Sequence, residues 1–277
     1  MASEPIRRRF ADLPHGQVHY REAGVGRGSP VLLLHSSPGS SRQLEGLIAA
    51  LATDHHVIAP DTPGNGDSTA LEVHAIADLA SALRVFLEVI DLPPAHVYGM
   101  HTGAAIAAEL ALLAPGRVRS VALEGITRLD PVAQDEFVQR YTPDFSPDLD
   151  GAYLARAFQF SRDQFLFFPW YDRSPKASRG AGLPPVADLG ALVLEVIKAG
   201  SSYAANYHAA FRWNAAPRLA AMTCPLLVMA SEADPLHTMT REVAGTSHPF
   251  VSLPPFAAPD YAAARRAALI ALFASAG

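Results

Sequence analysis

One stretch, residues 97–111, constrains the fold of this chain more than any other. It reads Val-Tyr-Gly-Met-His-Thr-Gly-Ala-Ala-Ile-Ala-Ala-Glu-Leu-Ala. The apolar start predicts a short strand, the two glycines predict a very sharp turn, and the run that follows predicts a helix. Strands that lead directly into helices build parallel sheets, so this stretch predicts an α/β architecture.

The same alternation of strand and helix recurs on both sides of this stretch. Further apolar runs have the length and the flanking turn residues of strands buried on both faces of a sheet. These runs are residues 31–34, 57–59, 118–123, 225–230 and 250–253. Residues 8–24 read as two more short strands, and helical spacing occupies residues 42–51, 75–89 and 260–274. We therefore predict an α/β fold with a mostly parallel, doubly wound sheet and helices on both faces.

This alternation stops after residue 127. Residues 128–213, called the cap segment below, are rich in aromatic residues and helix-like, with several prolines. The strand pattern restarts at residue 225. We therefore predict a core made of residues 1–127 and 214–277, with an inserted helical cap at 128–213 that acts as a substrate lid.

Bulk composition excludes several classes of protein. The 277 residues are 49% hydrophobic and 18% charged, which disfavours disorder, and the net charge of −5 argues against a nucleic-acid partner. The single cysteine, Cys224, cannot form an internal disulfide, which is typical of a reducing compartment. No apolar run approaches 18 residues, and no signal peptide is recognisable. We expect a cytoplasmic protein that has no membrane partner.

Four short motifs follow one another in an order that one superfamily requires. They are His-Ser-Ser-Pro-Gly at 35–39, Asp-Thr-Pro-Gly-Asn-Gly-Asp-Ser at 61–68, Gly-Met-His-Thr-Gly at 99–103, and Asp234 after a late strand. They resemble the oxyanion loop H-G-x-P-G, the turn D-x-P-G-x-G-x-S, the nucleophile elbow G-x-S-x-G and the triad acid of the α/β-hydrolase superfamily. The resemblance runs from about residue 9 to residue 273. It implies the α/β-hydrolase fold with an inserted cap.

Two positions depart from the superfamily pattern. His101 occupies the place of the elbow serine, and residues 254–260, where the superfamily has its histidine, read Pro-Pro-Phe-Ala-Ala-Pro-Asp. A Ser-His-Asp mechanism in the usual positions is therefore excluded by residue identity. Histidine is among the few residue types enriched at positive φ, so it fits a strained elbow turn.

His101 is the candidate catalytic residue. It can act as a general base near neutral pH or as a covalent nucleophile, and we favour the base. It can also merely fill space in a pseudoenzyme. A carboxylate would orient the imidazole, and two are candidates. Asp234 matches the usual acid, and Glu124 lies where some relatives, including certain haloalkane dehalogenases, have theirs.

The backbone N–H groups of Ser37 and Thr102 would form the oxyanion hole by the same resemblance. Candidate substrate-binding residues come from the 35–39 loop and from the cap segment. They are His35, Ser36, Trp170, Tyr207 and His208. Whether His237, His248 or His208 joins the site is left open. The many aromatic side chains of the cap segment favour an apolar ligand, with a secondary core or a homodimer interface as alternatives.

The function that these features predict is a cofactor-independent hydrolase of a small apolar carbonyl compound, such as an ester, lactone or β-dicarbonyl. A lyase, decarboxylase, isomerase or cofactor-free oxygenase is an alternative, because hydroxynitrile lyases and plant methylketone synthases show such shifts in this superfamily. A ligand-binding pseudoenzyme is a second alternative. We expect no metal, since the single cysteine rules out C-x-x-C spacing.

Overall fold

An eight-stranded sheet lies at the centre of the computed structural model, which describes residues 5–72, 75–200 and 202–277. The strands are β1 (Arg7–Leu13), β2 (Gly16–Ala23), β3 (Val31–Leu34), β4 (Val57–Pro60), β5 (Ala95–Met100), β6 (Val118–Glu124), β7 (Leu226–Ser231) and β8 (Phe250–Leu253). Their spatial order is β1-β2-β4-β3-β5-β6-β7-β8. The β1–β2 and β2–β4 pairs are antiparallel, and β4, β3, β5, β6, β7 and β8 pair in parallel. The predicted mostly parallel sheet is confirmed.

Helices flank this sheet and fill the cap segment. Within the described residues they are α1 (Glu45–Leu51), α2 (Ile76–Val89), α3 (Thr102–Leu113), α4 (Pro131–Arg140), α5 (Ala152–Leu166), α6 (Val186–Ala199), α7 (Ser202–Arg212), α8 (Ala215–Ala220), α9 (His237–Ala244) and α10 (Tyr261–Ser275). The helix predicted from residue 42 begins instead as a 3-10 turn, Ser41–Leu44. Helices α8 and α9 were not predicted, because each is too short to show helical periodicity.

The sheet separates two apolar cores. In β3, Leu32 and Leu34 pack on the same face as α2 and α3, whereas Val31 and Leu33 pack on the opposite face with α1 and α10. All four side chains are fully buried. Successive residues of a strand point to opposite faces, so a continuous apolar run is what a sheet covered on both sides requires.

The cap segment has an apolar cluster of its own. Helices α4 to α7 bring together Phe137, Tyr141, Phe160, Tyr203 and Phe211, each less than a tenth exposed. Much of the aromatic content therefore holds these helices together, as one of the sequence alternatives stated. The division into core and cap stays a prediction, and residues 1–4, 73–74 and 201 of its ranges lie outside the described residues.

None of the helices in the described part of the chain combines the length and apolarity that crossing a membrane requires.

Candidate active site

The predicted sharp turn joins β5 to α3. His101 lies between the last residue of the strand and the first residue of the helix, with φ +51° and ψ −113°. The two glycines of the turn allow close approach of the backbone. A Cβ atom on Gly99 would lie 2.0 Å from the Gly103 carbonyl oxygen, and one on Gly103 would lie 2.4 Å from the Leu34 carbonyl oxygen. This turn, residues 99–103, is called the elbow below, and it holds the histidine in a strained conformation.

The His101 imidazole forms a hydrogen bond with Asp234. Its Nε2 lies 2.7 Å from Asp234 Oδ2, and the other carboxylate oxygen accepts the Leu236 backbone N–H at 2.8 Å. An ionised carboxylate only accepts, so Nε2 carries the proton and Nδ1 is left to exchange protons with a ligand. In a Ser-His-Asp triad the acid binds Nδ1 instead. The two ring nitrogens exchange roles here because the histidine is itself the elbow residue, so its side chain approaches Asp234 from the elbow.

Charge and burial shape the acidity of this pair. Burial lowers the pKa of His101, but the Asp234 carboxylate outweighs burial, so the pKa of the imidazole rises above its ordinary value. Burial raises the pKa of Asp234, yet the imidazole and the Leu236 N–H together hold it below its usual range. The Asp234 side chain is fully buried, and about a third of the His101 side chain is exposed. An imidazole held by a carboxylate in this way can act as a general base.

Gly125 provides the space that the imidazole needs. Its φ is +72°, and a Cβ atom there would lie 2.2 Å from His101 Cδ2 and 3.0 Å from Asp234 Oδ2. Any side chain at this position would collide with the His101–Asp234 pair. The sequence did not reveal the role of this glycine, because nothing local indicates which ring lies above it.

The Glu124 side chain binds elsewhere. It is fully buried, and its two carboxylate oxygens accept the hydroxyl hydrogens of Tyr98 and Tyr261, each at 2.7 Å. Only the Glu124 main chain contacts the elbow, since its carbonyl oxygen accepts the His101 backbone N–H at 2.8 Å. The alternative in which Glu124 orients the imidazole is therefore wrong, and the orienting contact comes from Asp234.

The loop at residues 35–39 brings Ser37 beside the elbow. Ser37 and Thr102 line the same cavity as His101. Behind them, His35 Nε2 accepts the Thr62 backbone N–H at 2.9 Å, so its Nδ1 donates to the Ser36 carbonyl oxygen at 2.8 Å. Burial lowers the pKa of His35, which keeps this ring neutral in one tautomer. The ring therefore fixes the loop.

Two substrate-binding predictions in this loop are wrong. His35 is fully buried, and Ser36 donates its hydroxyl to Gln43 Oε1 at 2.9 Å; neither residue lines the cavity. The two ring nitrogens of His35 and the hydroxyl of Ser36 form hydrogen bonds within the protein, so neither side chain is available to bind a ligand.

The turn at residues 61–68 supports this loop through Asp61. Its carboxylate accepts the Ser41 backbone N–H at 2.8 Å and the Asp67 backbone N–H at 3.0 Å, and it lies 2.8 Å from His19 Nδ1. Burial raises the pKa of Asp61, but these contacts together hold it far below its usual range. Asp61 is therefore a structural carboxylate.

A cavity of about 840 Å³ opens above the elbow. Its walls are mostly apolar and come from the elbow, the loops after β7 and β8, and the cap segment. The apolar lining includes Met100, Phe137, Phe165, Phe168, Leu183, Pro185, Phe211, Leu236, Pro255 and Phe256. Pro255 and Phe256 belong to the stretch where the superfamily has its histidine. His101 is thus the one histidine in this wall among the described residues.

The cap residues predicted to bind substrate divide into two groups. Tyr207 lines the cavity. Trp170 and His208 do not, so their assignments are wrong: the Trp170 indole N–H donates to the Tyr141 carbonyl oxygen, and His208 Nε2 lies 2.8 Å from Thr142 Oγ1. Sequence periodicity did not distinguish cavity wall from secondary core, because both need aromatic residues, and Trp170 lies in the irregular stretch between α5 and α6.

The remaining histidines also lie outside the cavity. His237 Nε2 lies 2.9 Å from Ser252 Oγ, and His248 lines a separate depression beside Cys224. Sequence reasoning missed four polar residues of the cavity wall, Thr127, Tyr141, Gln164 and Arg179. Arg179 lies in an irregular glycine- and proline-rich stretch whose path no periodicity predicts.

Family comparison agrees with this geometry. The model of the alpha/beta hydrolase fold family matches residues 29–238, which is most of the chain. The chain therefore belongs to the alpha/beta hydrolase fold family.

Individual relatives match a smaller part of the chain than the family model does. An uncharacterized hydrolase of Saccharomyces cerevisiae is 30% identical over 123 residues, covering 44% of this chain and 42% of the relative. A 2-hydroxy-6-oxononadienedioate/2-hydroxy-6-oxononatrienedioate hydrolase of Pseudomonas putida is 35% identical over 135 residues, covering 44% and 46%. The matches thus span less than half of each relative. The enol-lactonase structure from Burkholderia xenovorans superimposes with a TM-score of 0.70 at 19% identity, covering 96% of this chain and all of the other.

Proposed function

We propose that this protein is a cofactor-independent hydrolase of a small apolar carbonyl compound, such as an ester, lactone or β-dicarbonyl. The observation that carries the proposal is the 2.7 Å contact between His101 Nε2 and Asp234 Oδ2 in the wall of an apolar cavity. It supplies an oriented base with a free Nδ1 where the superfamily has its nucleophile.

The proposed reaction uses water as the nucleophile. The substrate carbonyl oxygen accepts the backbone N–H groups of Ser37 and Thr102, and Nδ1 of His101 takes a proton from water as its oxygen attacks the carbonyl carbon. Asp234 stabilises the imidazolium that forms. The tetrahedral oxyanion then collapses, the bond to the leaving group breaks, and the imidazolium returns the proton to that group.

A general base fits this cavity better than a covalent nucleophile. An acyl-imidazole on His101 would need a second base to activate the water that releases it. The cavity wall of the described residues contains no second histidine, and its C-terminal part is formed by Pro255, Phe256 and Ala257. Direct attack of water therefore needs only the groups that surround His101.

The cavity and the relatives both support the proposed substrate class. The wall is mostly apolar, which favours small substrates with aliphatic or aromatic parts. One relative is named as a hydrolase of 2-hydroxy-6-oxononadienedioate and one structural neighbour as an enol-lactonase. Both names describe hydrolysis of compounds with carbonyl groups, which is consistent with a carbonyl substrate here.

Hydrolysis in heavy-oxygen water, followed by mass spectrometry of the products, tests the proposal. A panel of aryl esters, lactones and β-dicarbonyls should yield a product acid with solvent oxygen, and His101→Ala should lower the rate by about 10²–10⁴-fold with the fold retained. Turnover without solvent oxygen would instead support a lyase, decarboxylase, isomerase or oxygenase. Ligand binding without turnover, unchanged in His101→Ala, would support a pseudoenzyme.

A further inference from the structure

Among the described residues, Arg179 is the one arginine or lysine in the wall of this mostly apolar cavity. The Arg179 guanidinium donates to two main-chain oxygens, those of Gln164 and Ala233. Both acceptors are neutral. No carboxylate oxygen lies within 4.0 Å of this guanidinium in the described part of the chain. Its neighbours in the cap segment differ, because Arg162 and Arg173 both pair with the buried Asp163.

The nearest negative group does not neutralise Arg179. Asp234 lies in the same region, but one of its oxygens binds the His101 imidazole and the other accepts the Leu236 N–H. Burial lowers the pKa of Arg179 and Asp234 only partly offsets this effect. A partly buried cation with no bound counter-ion is costly, so a ligand anion would be favoured at this point.

The guanidinium has donors to spare. Five N–H groups are available on an arginine side chain, and only two hydrogen bonds are made to the protein. Those two bonds hold the side chain against α5 and against the loop that carries Asp234. The planar group is therefore held in place with N–H groups left for a second partner, and a carboxylate is the anion that best matches its shape.

Tyr141 adds a second unused donor to the same wall. The residue is 6% exposed and lines the cavity, yet its hydroxyl has no hydrogen-bond partner among the described residues. Burial raises the pKa of this phenol, so it remains a neutral donor. The hydroxyl is accessible from the cavity, so an acceptor on a ligand could form the hydrogen bond that no described protein group forms.

We propose that Arg179 and Tyr141 form an anion subsite, and that the substrate is an apolar carbonyl compound that carries a carboxylate group. This inference rests on the proposed function for the reacting carbonyl, and it adds a carboxylate group to the proposed substrate. The carboxylate binds Arg179 and Tyr141, the apolar part fills the wall formed by the cap segment, and the carbonyl reaches His101.

Binding of a matched acid and amide tests the subsite without turnover. The probes are 4-phenylbutyrate and 4-phenylbutyramide, measured by isothermal titration calorimetry at a pH where the acid is ionised. The wild-type protein should bind the acid about tenfold more tightly than the amide. Arg179→Met should remove this preference and leave amide affinity unchanged, while Tyr141→Phe should reduce the preference by a smaller factor.

Two further variants keep the result interpretable. Arg156→Met removes one positive charge from the same cap segment outside the cavity, where Arg156 pairs with Asp148, and it should retain the full preference. Arg179→Lys keeps the charge without the planar fork and should retain part of the preference. Equal wild-type affinity for acid and amide, no binding of the acid up to its solubility limit, or an equal loss in Arg156→Met would each overturn the subsite.

The subsite and the reaction fail separately. His101→Ala should keep the acid-over-amide preference, because the imidazole does not contact the proposed carboxylate. If the preference persists but no substrate in the panel gains solvent oxygen, the proposed hydrolysis fails and the subsite is retained. If solvent oxygen is incorporated but acid and amide bind equally, the reaction is retained and the subsite fails.

Discussion

Two buried carboxylates lie at the ends of neighbouring strands and have opposite uses. Glu124 is the last residue of β6, and Asp234 follows β7 by three residues. Glu124 accepts two tyrosine hydroxyls, whereas Asp234 accepts the imidazole of His101. Both residues are carboxylates at or just after the end of a strand, so their hydrogen-bond partners distinguish the one that faces the cavity from the one that does not.

The pleat of β6 explains the difference. Ala122 and Glu124 point to the same face, and Ala122 packs in the core that contains α1 and α10. Tyr98 and Tyr261 lie in that core, away from the cavity. Asp234 belongs to a loop beyond the end of β7, so no pleat dictates its direction. A loop residue can turn its side chain toward the elbow, whereas the face to which a strand side chain points is fixed by the alternation of residues along the strand.

Removing each charge in turn should give the largest contrast. Asp234→Asn should lower kcat/KM by about 10³-fold, because the imidazole loses the carboxylate that orients it and stabilises its protonated form. Glu124→Gln should retain most activity per folded molecule and lower the free energy of unfolding by about 1–3 kcal/mol, because one tyrosine hydroxyl loses its acceptor. Kinetics and urea unfolding measure both. Equal losses of activity would show that the two carboxylates act together.

The next contrast concerns the glycine that adjoins both carboxylates. Gly125→Ala places a Cβ atom 2.2 Å from the imidazole, so the ring must leave Asp234. We expect kcat/KM to fall by about 10–100-fold, since small misplacements of catalytic groups have effects of this size. NMR titration should show the pKa of His101 moving toward its ordinary value.

Gly151→Ala is the matched control for this change. Gly151 has φ +70°, close to the +72° of Gly125, but a Cβ atom there would meet only a Leu154 methyl at 3.9 Å. Both variants should lose about 1 kcal/mol of stability through backbone strain. Only Gly125→Ala should lose activity, and a comparable loss in Gly151→Ala would show that strain, not the ring contact, is responsible.

The pH profile should show a moderate effect of Asp234 on His101. The carboxylate raises the pKa of the imidazole, so the base is lost as pH falls and kcat/KM should decline with a midpoint above the ordinary histidine value of about 6.5. Asp234→Asn should shift this midpoint downward. A profile that stays flat through the acid range would contradict the general-base role.

The stabilisation from the His101–Asp234 pair should change with pH in the opposite direction to the activity. The folded protein binds the His101 proton more tightly than the unfolded chain does. The stabilisation from the charged pair is therefore fully present below the unfolded histidine pKa and is lost as pH rises through the raised folded pKa. The free energy of unfolding of wild type relative to His101→Gln, measured by urea denaturation, should fall over that window. A difference that grows with pH would be inconsistent with the raised pKa.

The smallest effect on activity is expected from a change in the hydrogen bonds of Glu124. Tyr261→Phe removes one of the two hydroxyls that the carboxylate accepts, so the free energy of unfolding should fall by about 1–2 kcal/mol. The hydroxyl lies outside the cavity wall, so KM and kcat should change little. Glu124 raises the pKa of His101 less than Asp234 does, so a shift in the pH profile of this variant as large as that of Asp234→Asn would contradict the contrast between the two carboxylates.

Much of this architecture could be predicted from local signals. Apolar runs with flanking turn residues located the strands, and the pair Gly99 and Gly103 predicted the sharp turn that bears His101. The family followed from the order of four motifs. Which cap residues line the cavity could not be predicted. Tyr207 lines it, whereas the Trp170 indole N–H donates to the Tyr141 carbonyl oxygen, although both residues lie in the aromatic-rich cap segment.

The sequence by itself determined the strands of the sheet, its longer flanking helices and the histidine at the elbow, because periodicity and turn chemistry act over a few neighbouring residues. The tertiary structure decided which side chains meet. His101 and Asp234 are 133 residues apart. The space for their contact is provided by Gly125, and Arg179 reaches the same cavity from an irregular stretch of the cap segment. Such contacts depend on how strand ends and loops converge in space, which no local pattern specifies.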